Sequence, residues 1–144
     1  MTRKLLLPAS IAGVVLAVIA VVALGGNATP RDPMTGETEF DIPMQDPILV
    51  AEGEGLYQAR CAACHGSDLR GTAVGPSQLS VVYQPGHHSD ESYMSAVFNG
   101  VPAHHWDFGD MAPVVGVTED DMVRIVAYIR ENQRIEGFEP YPPR

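Results

Sequence analysis

Cys61-Ala62-Ala63-Cys64-His65 is the stretch that decides how this chain is read. Cys-x-x-Cys-His is the attachment pattern of a c-type haem. Two thiols on one helical turn can each add to a haem vinyl group and form a thioether. The adjacent His65 is then held beneath the iron and can ligate it through one ring nitrogen. The chain has only these two cysteines, so neither is left over. Three other readings are weaker. A thioredoxin-like Cys-x-x-Cys expects a βαβ neighbourhood, and no alternation of strands and helices is visible. A structural zinc site takes four ligands, usually from two such pairs, and there is no second pair. A disulfide between Cys61 and Cys64 would close a short, strained ring.

Working outward, the N-terminus accounts for much of the 45% apolar content. Residues 5–24 carry no charge, and Pro8 and Ser10 alone interrupt them. As a helix they would span ~30 Å, the thickness of a bilayer's hydrocarbon. Arg3 and Lys4 precede the segment, and no positive charge follows until Arg31. The positive-inside rule then keeps the N-terminus in the cytoplasm and exports the rest. Residues 1–28 are therefore a membrane anchor or a signal peptide. The full apolar length favours the anchor. The shorter uninterrupted run 11–24 and the small residues of Gly26-Asn27-Ala28 suit cleavage. Both readings place the domain on the periplasmic side of a bacterial inner membrane, anchored in the first case and free in the second. A c-type haem is expected to be attached outside the cytoplasm, so two independent features agree.

Nine basic residues face 18 acidic ones, a net of −9. Without Arg3 and Lys4 the balance is seven against 18, or −11. Lys4 is the only lysine. Nucleic-acid binding is excluded on this balance. An acidic surface steers towards basic partners and rejects acidic ones.

Residues 29–47 read as a flexible linker with four prolines and no periodicity. A helix is expected from about residue 48 to 63, with Gly53, Tyr57 and Cys61 on one face. Glycine costs about 1 kcal/mol there relative to alanine, which a close backbone approach would justify. Residues 66–86 are loop-rich. Ser89 and Gly100 bracket a second helix over 90–98, with Tyr93, Met94, Val97 and Phe98 as its apolar stripe. Thr118 caps the last helix. Glu119, Asp120 and Asp121 fill its first turn, and Met122, Ile125, Val126 and Ile129 supply its apolar face. Val81-Val82-Tyr83 is too short for a strand. Residues 135–144 form a Pro-rich tail. The expected fold is all-α: a small helical domain over 48–134 around one covalent haem, with no internal repeat to hold a second.

A haem iron with one histidine takes a sixth ligand or keeps an open position. Methionine thioether is the electron-transfer choice and raises the potential. Met34 and Met44 lie in the linker, and Met94 and Met122 fit helical core positions. Met111 sits in the loop Gly109-Asp110-Met111-Ala112-Pro113, just ahead of the acid-capped helix, and is the preferred ligand, with core packing as its alternative. His87-His88 and His104-His105 read as loop histidines. Neither adjacent pair makes a chelating site by itself, and bis-histidine ligation through one of them stays open.

Residues 48–134 resemble a class I, mitochondrial-type, single-haem cytochrome c. The likeness rests on Gly53, Tyr57 and Cys61-x-x-Cys64-His65-Gly66, then Gly75-Pro76, then Met111 and Ile125-x-x-Tyr128-Ile129, in that order. It implies that the first and last helices cross closely, with Gly53 allowing the approach and Tyr57 packing near Tyr128. It implies that the Pro76 carbonyl accepts the free ring N–H of His65. It implies haem c held by Cys61 and Cys64 with His65 and Met111 as axial ligands. Such carriers commonly ring the haem edge with lysines, and this domain has none. A basic partner, or an apolar contact involving Trp106, Phe108 and Met111, is expected instead. Trp106 is expected near the haem as a propionate donor or ring neighbour, with an ordinary core aromatic as the alternative. Arg70 and Tyr83 are propionate donors by residue type only. The expected function is electron transfer with redox proteins as partners and no small-molecule substrate, not an enzyme. The rivals are a gas sensor with an open sixth position and a fixed cytochrome subunit of an oxidase or dehydrogenase.

Overall fold

The computed structural model describes residue 40 and residues 42–141. The apolar segment 5–24 and the candidate cleavage site lie outside them. Among the described residues there are four helices: α1 (Pro47–Arg60), α2 (Ala62–His65), α3 (Asp90–Asn99) and α4 (Glu119–Glu136). A 3-10 turn, Val81–Tyr83, lies between α2 and α3. Among the described residues there is no strand, only isolated bridges. No helix among them is long and apolar enough to cross a membrane.

The first and last helices start where a side chain satisfies free N–H groups of the first turn. Asp46 accepts from the N–H of Ile48 at 2.8 Å, and Pro47 opens α1 without a donor to waste. At α4 a capping box forms. Asp121 N–H donates to Thr118 Oγ1 at 3.1 Å, and Thr118 N–H donates to Asp121 Oδ2 at 3.0 Å. Ser89 and Gly100 bracket α3 as expected, one residue longer than the apolar stripe indicated.

The first helix differs from expectation. It ends at Arg60 instead of running to residue 63. Cys61 takes φ −119°, and α2 restarts at Ala62. The N–H groups of Cys64 and His65 both turn to the Cys61 carbonyl, at 3.1 and 3.0 Å. Apolar spacing does not register a distortion confined to one residue.

The core is made where α4 crosses α1. Tyr57, Leu69, Leu79, Met122 and Ile125 are each at most 1% exposed, with Val97, Val126 and Ile129 around them. At the crossing, a Cβ built on Gly53 would stand 2.0 Å from the Arg124 carbonyl oxygen. Tyr57 packs on Tyr128 with ring centroids 5.4 Å apart. Both observations match the expected crossing.

The flanks of the domain are less free than the sequence indicates. Ile42, within the expected linker, is buried, and Gln45 N–H donates to Glu131 at 3.2 Å. α4 continues to Glu136, past the boundary drawn at 134. Beyond it, Glu139 N–H donates to the Leu79 carbonyl at 2.7 Å and Val81 N–H donates to the Glu139 carbonyl at 2.8 Å. Residues 138–141 are thus irregular chain laid on the domain. Composition alone reads these prolines and acids as a tail, because the partners of their backbone groups are distant in sequence.

Replacing Gly53 by alanine should force the crossing apart. The expected cost is about 1–3 kcal/mol, net of the better helix propensity of alanine. Guanidinium unfolding of the two proteins measures it, and an unchanged midpoint would contradict the close approach.

Candidate haem cleft

Between α2, α3, α4 and the 101–114 loop lies a cavity of about 600 Å³ with a largely apolar wall. Cys61, Cys64 and His65 line one side, and Met111 and Trp106 also face it. The unwound Cys61 turns the attachment sequence into the cavity. Gly75 lets the next loop lie against it: a Cβ there would stand 2.6 Å from the Cys64 carbonyl oxygen.

His65 Nδ1 is 3.0 Å from the carbonyl of Pro76. A carbonyl can only accept, so Nδ1 carries the proton and Nε2 keeps its lone pair for a metal. Burial lowers the pKa of this imidazole below its ordinary value, against a smaller opposing pull from Pro76. The ring is therefore held neutral, the form that ligates.

Gln78 Nε2 lies 2.8 Å from the same Nδ1, and Gln78 Oε1 is buried without a donor. Two N–H groups cannot satisfy each other. Half a turn of the carboxamide presents the oxygen to Nδ1–H, since its two ends have the same shape. Gln78 then becomes a second acceptor behind His65.

Cys61 and Cys64 form no disulfide with one another. Burial, and to a lesser extent the neighbouring Cys64, pushes the Cys61 thiol up to about 11. A redox-active Cys-x-x-Cys needs the opposite shift, so the thioredoxin-like reading loses support. Paired thiols, an adjacent neutral imidazole with a free Nε2 and an apolar cleft are the donor set that a covalently held haem requires.

Met111 is half-buried. It is held by an antiparallel bridge in which Met111 and Val101 exchange two N–H···O bonds, each 2.9 Å. The expected irregular loop is thus pinned at its central residue. Trp106 stacks on Tyr83, centroids 5.5 Å apart and planes 17° apart, and both face the cleft. Arg70 does not: it pairs with Glu136 at 3.2 Å and with Glu139 on the flank of the domain. Its assignment as a propionate donor is corrected, because the carboxylates of the α4 C-terminus and of the chain beyond it hold it there.

Arg130, on α4, is a functional residue that the sequence reading does not pick out. It is 2% exposed. Nε donates to Asp90 at 2.7 Å, Nη1 to the Tyr83 carbonyl at 2.7 Å and to Gln133 at 2.8 Å, and Nη2 to the His88 carbonyl at 2.6 Å. The guanidinium therefore anchors the loop that carries Tyr83. Its spacing from Val126 and Gln133 puts it on the buried stripe, and that signal was available. Gln78 had no comparable signal.

A family model for cytochrome c matches residues 50–133, more than half of the chain. The chain belongs to the cytochrome c family. No curated protein matches it at a significant level. This cytochrome carries covalently bound haem c, and Cys61 and Cys64 are the pair that fits its attachment. Its function is haem-based electron transfer, as a carrier and not a catalyst. The haem supplies a one-electron couple. The chain supplies the rest: Pro76 and Gln78 orient His65, and the apolar wall of the cleft limits solvent around the redox centre.

Arg130→Met should destabilise the cytochrome by about 2–4 kcal/mol, since it strands two carbonyls and a carboxamide. Hydrogen exchange should quicken first across residues 81–90. Uniform quickening, with no excess in that loop, would count against an anchoring role.

Proposed function

We propose that this cytochrome is a respiratory electron carrier on the periplasmic side of the inner membrane, with His65 and Met111 as axial ligands. The observation that carries the ligation is that Met111, fixed by its bridge to Val101, lines the same cleft as His65. Met122 also lines the cleft but is 1% exposed, packed in the core from α4, and Met44 is 78% exposed outside the cleft. Met111, half-buried on its loop, is the better placed donor. A neutral thioether raises the potential and favours outer-sphere transfer. The uncharged run 5–24 behind Arg3 and Lys4 supports export, with the segment retained as an anchor or removed as a signal peptide.

Docking follows from charge. Arg70, Arg124, Arg130 and Arg134 each pair with a carboxylate of the same chain. Among the described residues, Arg60 is the one arginine outside these pairs. A basic partner surface, or an apolar one meeting Phe108 (43% exposed) and Trp106 at the rim, fits better.

The ferric protein should show the weak far-red band of sulfur-to-iron charge transfer, and should cycle between ascorbate and ferricyanide without loss. Met111→Ala should abolish the band. It should also lower the potential by on the order of 0.1 V or more, within the ~0.8 V that axial ligands span. A parent protein that lacks the band and binds CO rapidly when reduced would replace this reading with an open-site sensor. Co-purification of a dehydrogenase or oxidase after gentle solubilisation would make the chain a fixed subunit.

A further inference from the structure

Four of the five histidines have no part in haem attachment. His87 and His88 follow the 3-10 turn, and His104 and His105 precede Trp106. Far apart in sequence, the two pairs meet at one rim of the cleft. His87 Nε2 lies 3.3 Å from His105 Nε2. One ring nitrogen from each of His87, His88 and His105 falls within 4.8 Å of the other two.

The arrangement is held from behind. His88 donates Nδ1–H to the Val82 carbonyl at 2.7 Å, which leaves its Nε2 lone pair free. Metal-binding histidines are generally oriented in this way. The His88 carbonyl accepts from buried Arg130, and the His105 carbonyl accepts from the Tyr141 hydroxyl. Both loops are thus fixed through their backbones while the rings converge. His88 and His105 are half-buried and His87 is exposed, so an ion has a route in from solvent. His104, its ring 4.4 Å from that of His105, bonds the Pro102 carbonyl and stands beside the three.

The converging set contains no carboxylate and no thiolate. Calcium and magnesium want oxygen ligands, whereas imidazole nitrogen suits copper, zinc and nickel. Among these the divalent affinity order peaks at copper. We propose that His87, His88 and His105 form a binding site for a late first-row divalent ion, copper(II) before all others, which clamps the 82–88 and 102–106 loops together at the rim of the haem cleft. Two loops that otherwise meet through ring contacts would then be cross-linked by coordinate bonds.

The test uses untagged ferric holoprotein and copper(II), with zinc(II) as the redox-inert second probe. One copper per haem should survive gel filtration. Its paramagnetic resonance should show coupling to nitrogen. Zinc should bind more weakly and compete. Either ion should raise the melting midpoint, as a ligand specific to the folded state must. His87→Gln and His105→Gln, one from each loop, should each weaken copper binding by at least ~10-fold and remove the thermal shift. The proposal is overturned if no copper is retained. It is equally overturned by copper showing no nitrogen coupling, or by a double variant H87Q/H105Q that binds as the parent does.

Discussion

The contact of two backbones at Gly53 governs this molecule. α1 and α4 can carry a shared core only because nothing projects between them there. Tyr57, one turn on, then reaches Tyr128, and its hydroxyl donates to the Gly66 carbonyl at 2.9 Å, just beyond the attachment sequence. Helix packing and the position of the thiols are therefore one arrangement. The unwinding at Cys61 happens where α1 leaves α4, and it turns the chain into the cleft.

A polar line runs through the apolar interior beside that crossing. Asp90 meets Arg130, Arg130 meets Gln133, and Gln133 donates to the Gln78 carbonyl at 2.7 Å and to the Tyr93 hydroxyl at 3.2 Å. Gln78 then meets His65. From Asp90 to Gln78 each link is a hydrogen bond at normal distance, which offsets the desolvation of the buried groups it joins. The start of α3 and His65 are joined in this way without sharing any sequence neighbourhood.

What could be read in advance divides along the same line. The limits of α3 and α4 were legible because caps are local chemistry: Thr118 with Asp121, and Ser89 with Gly100, lie within a few residues of what they end or begin. The cofactor was legible because Cys61, Cys64 and His65 act from one turn. The Gly53 crossing and the Pro76 carbonyl were reached through resemblance to a family, since spacing alone sets no partner for either. The break at Cys61, the anchoring by Arg130 and the meeting of the histidine pairs were not read. Each depends on segments that only the folded chain brings together.

The back of His65 has a consequence of its own. A peptide carbonyl and a carboxamide hold its Nδ1–H. Neither gains or loses a proton in water at any biological acidity. The support behind this imidazole is thus set once, when the chain folds, and is blind to the acidity of the surrounding medium. An electron carrier with His65 on its iron would keep a constant ligand on that side while the acidity around it changes.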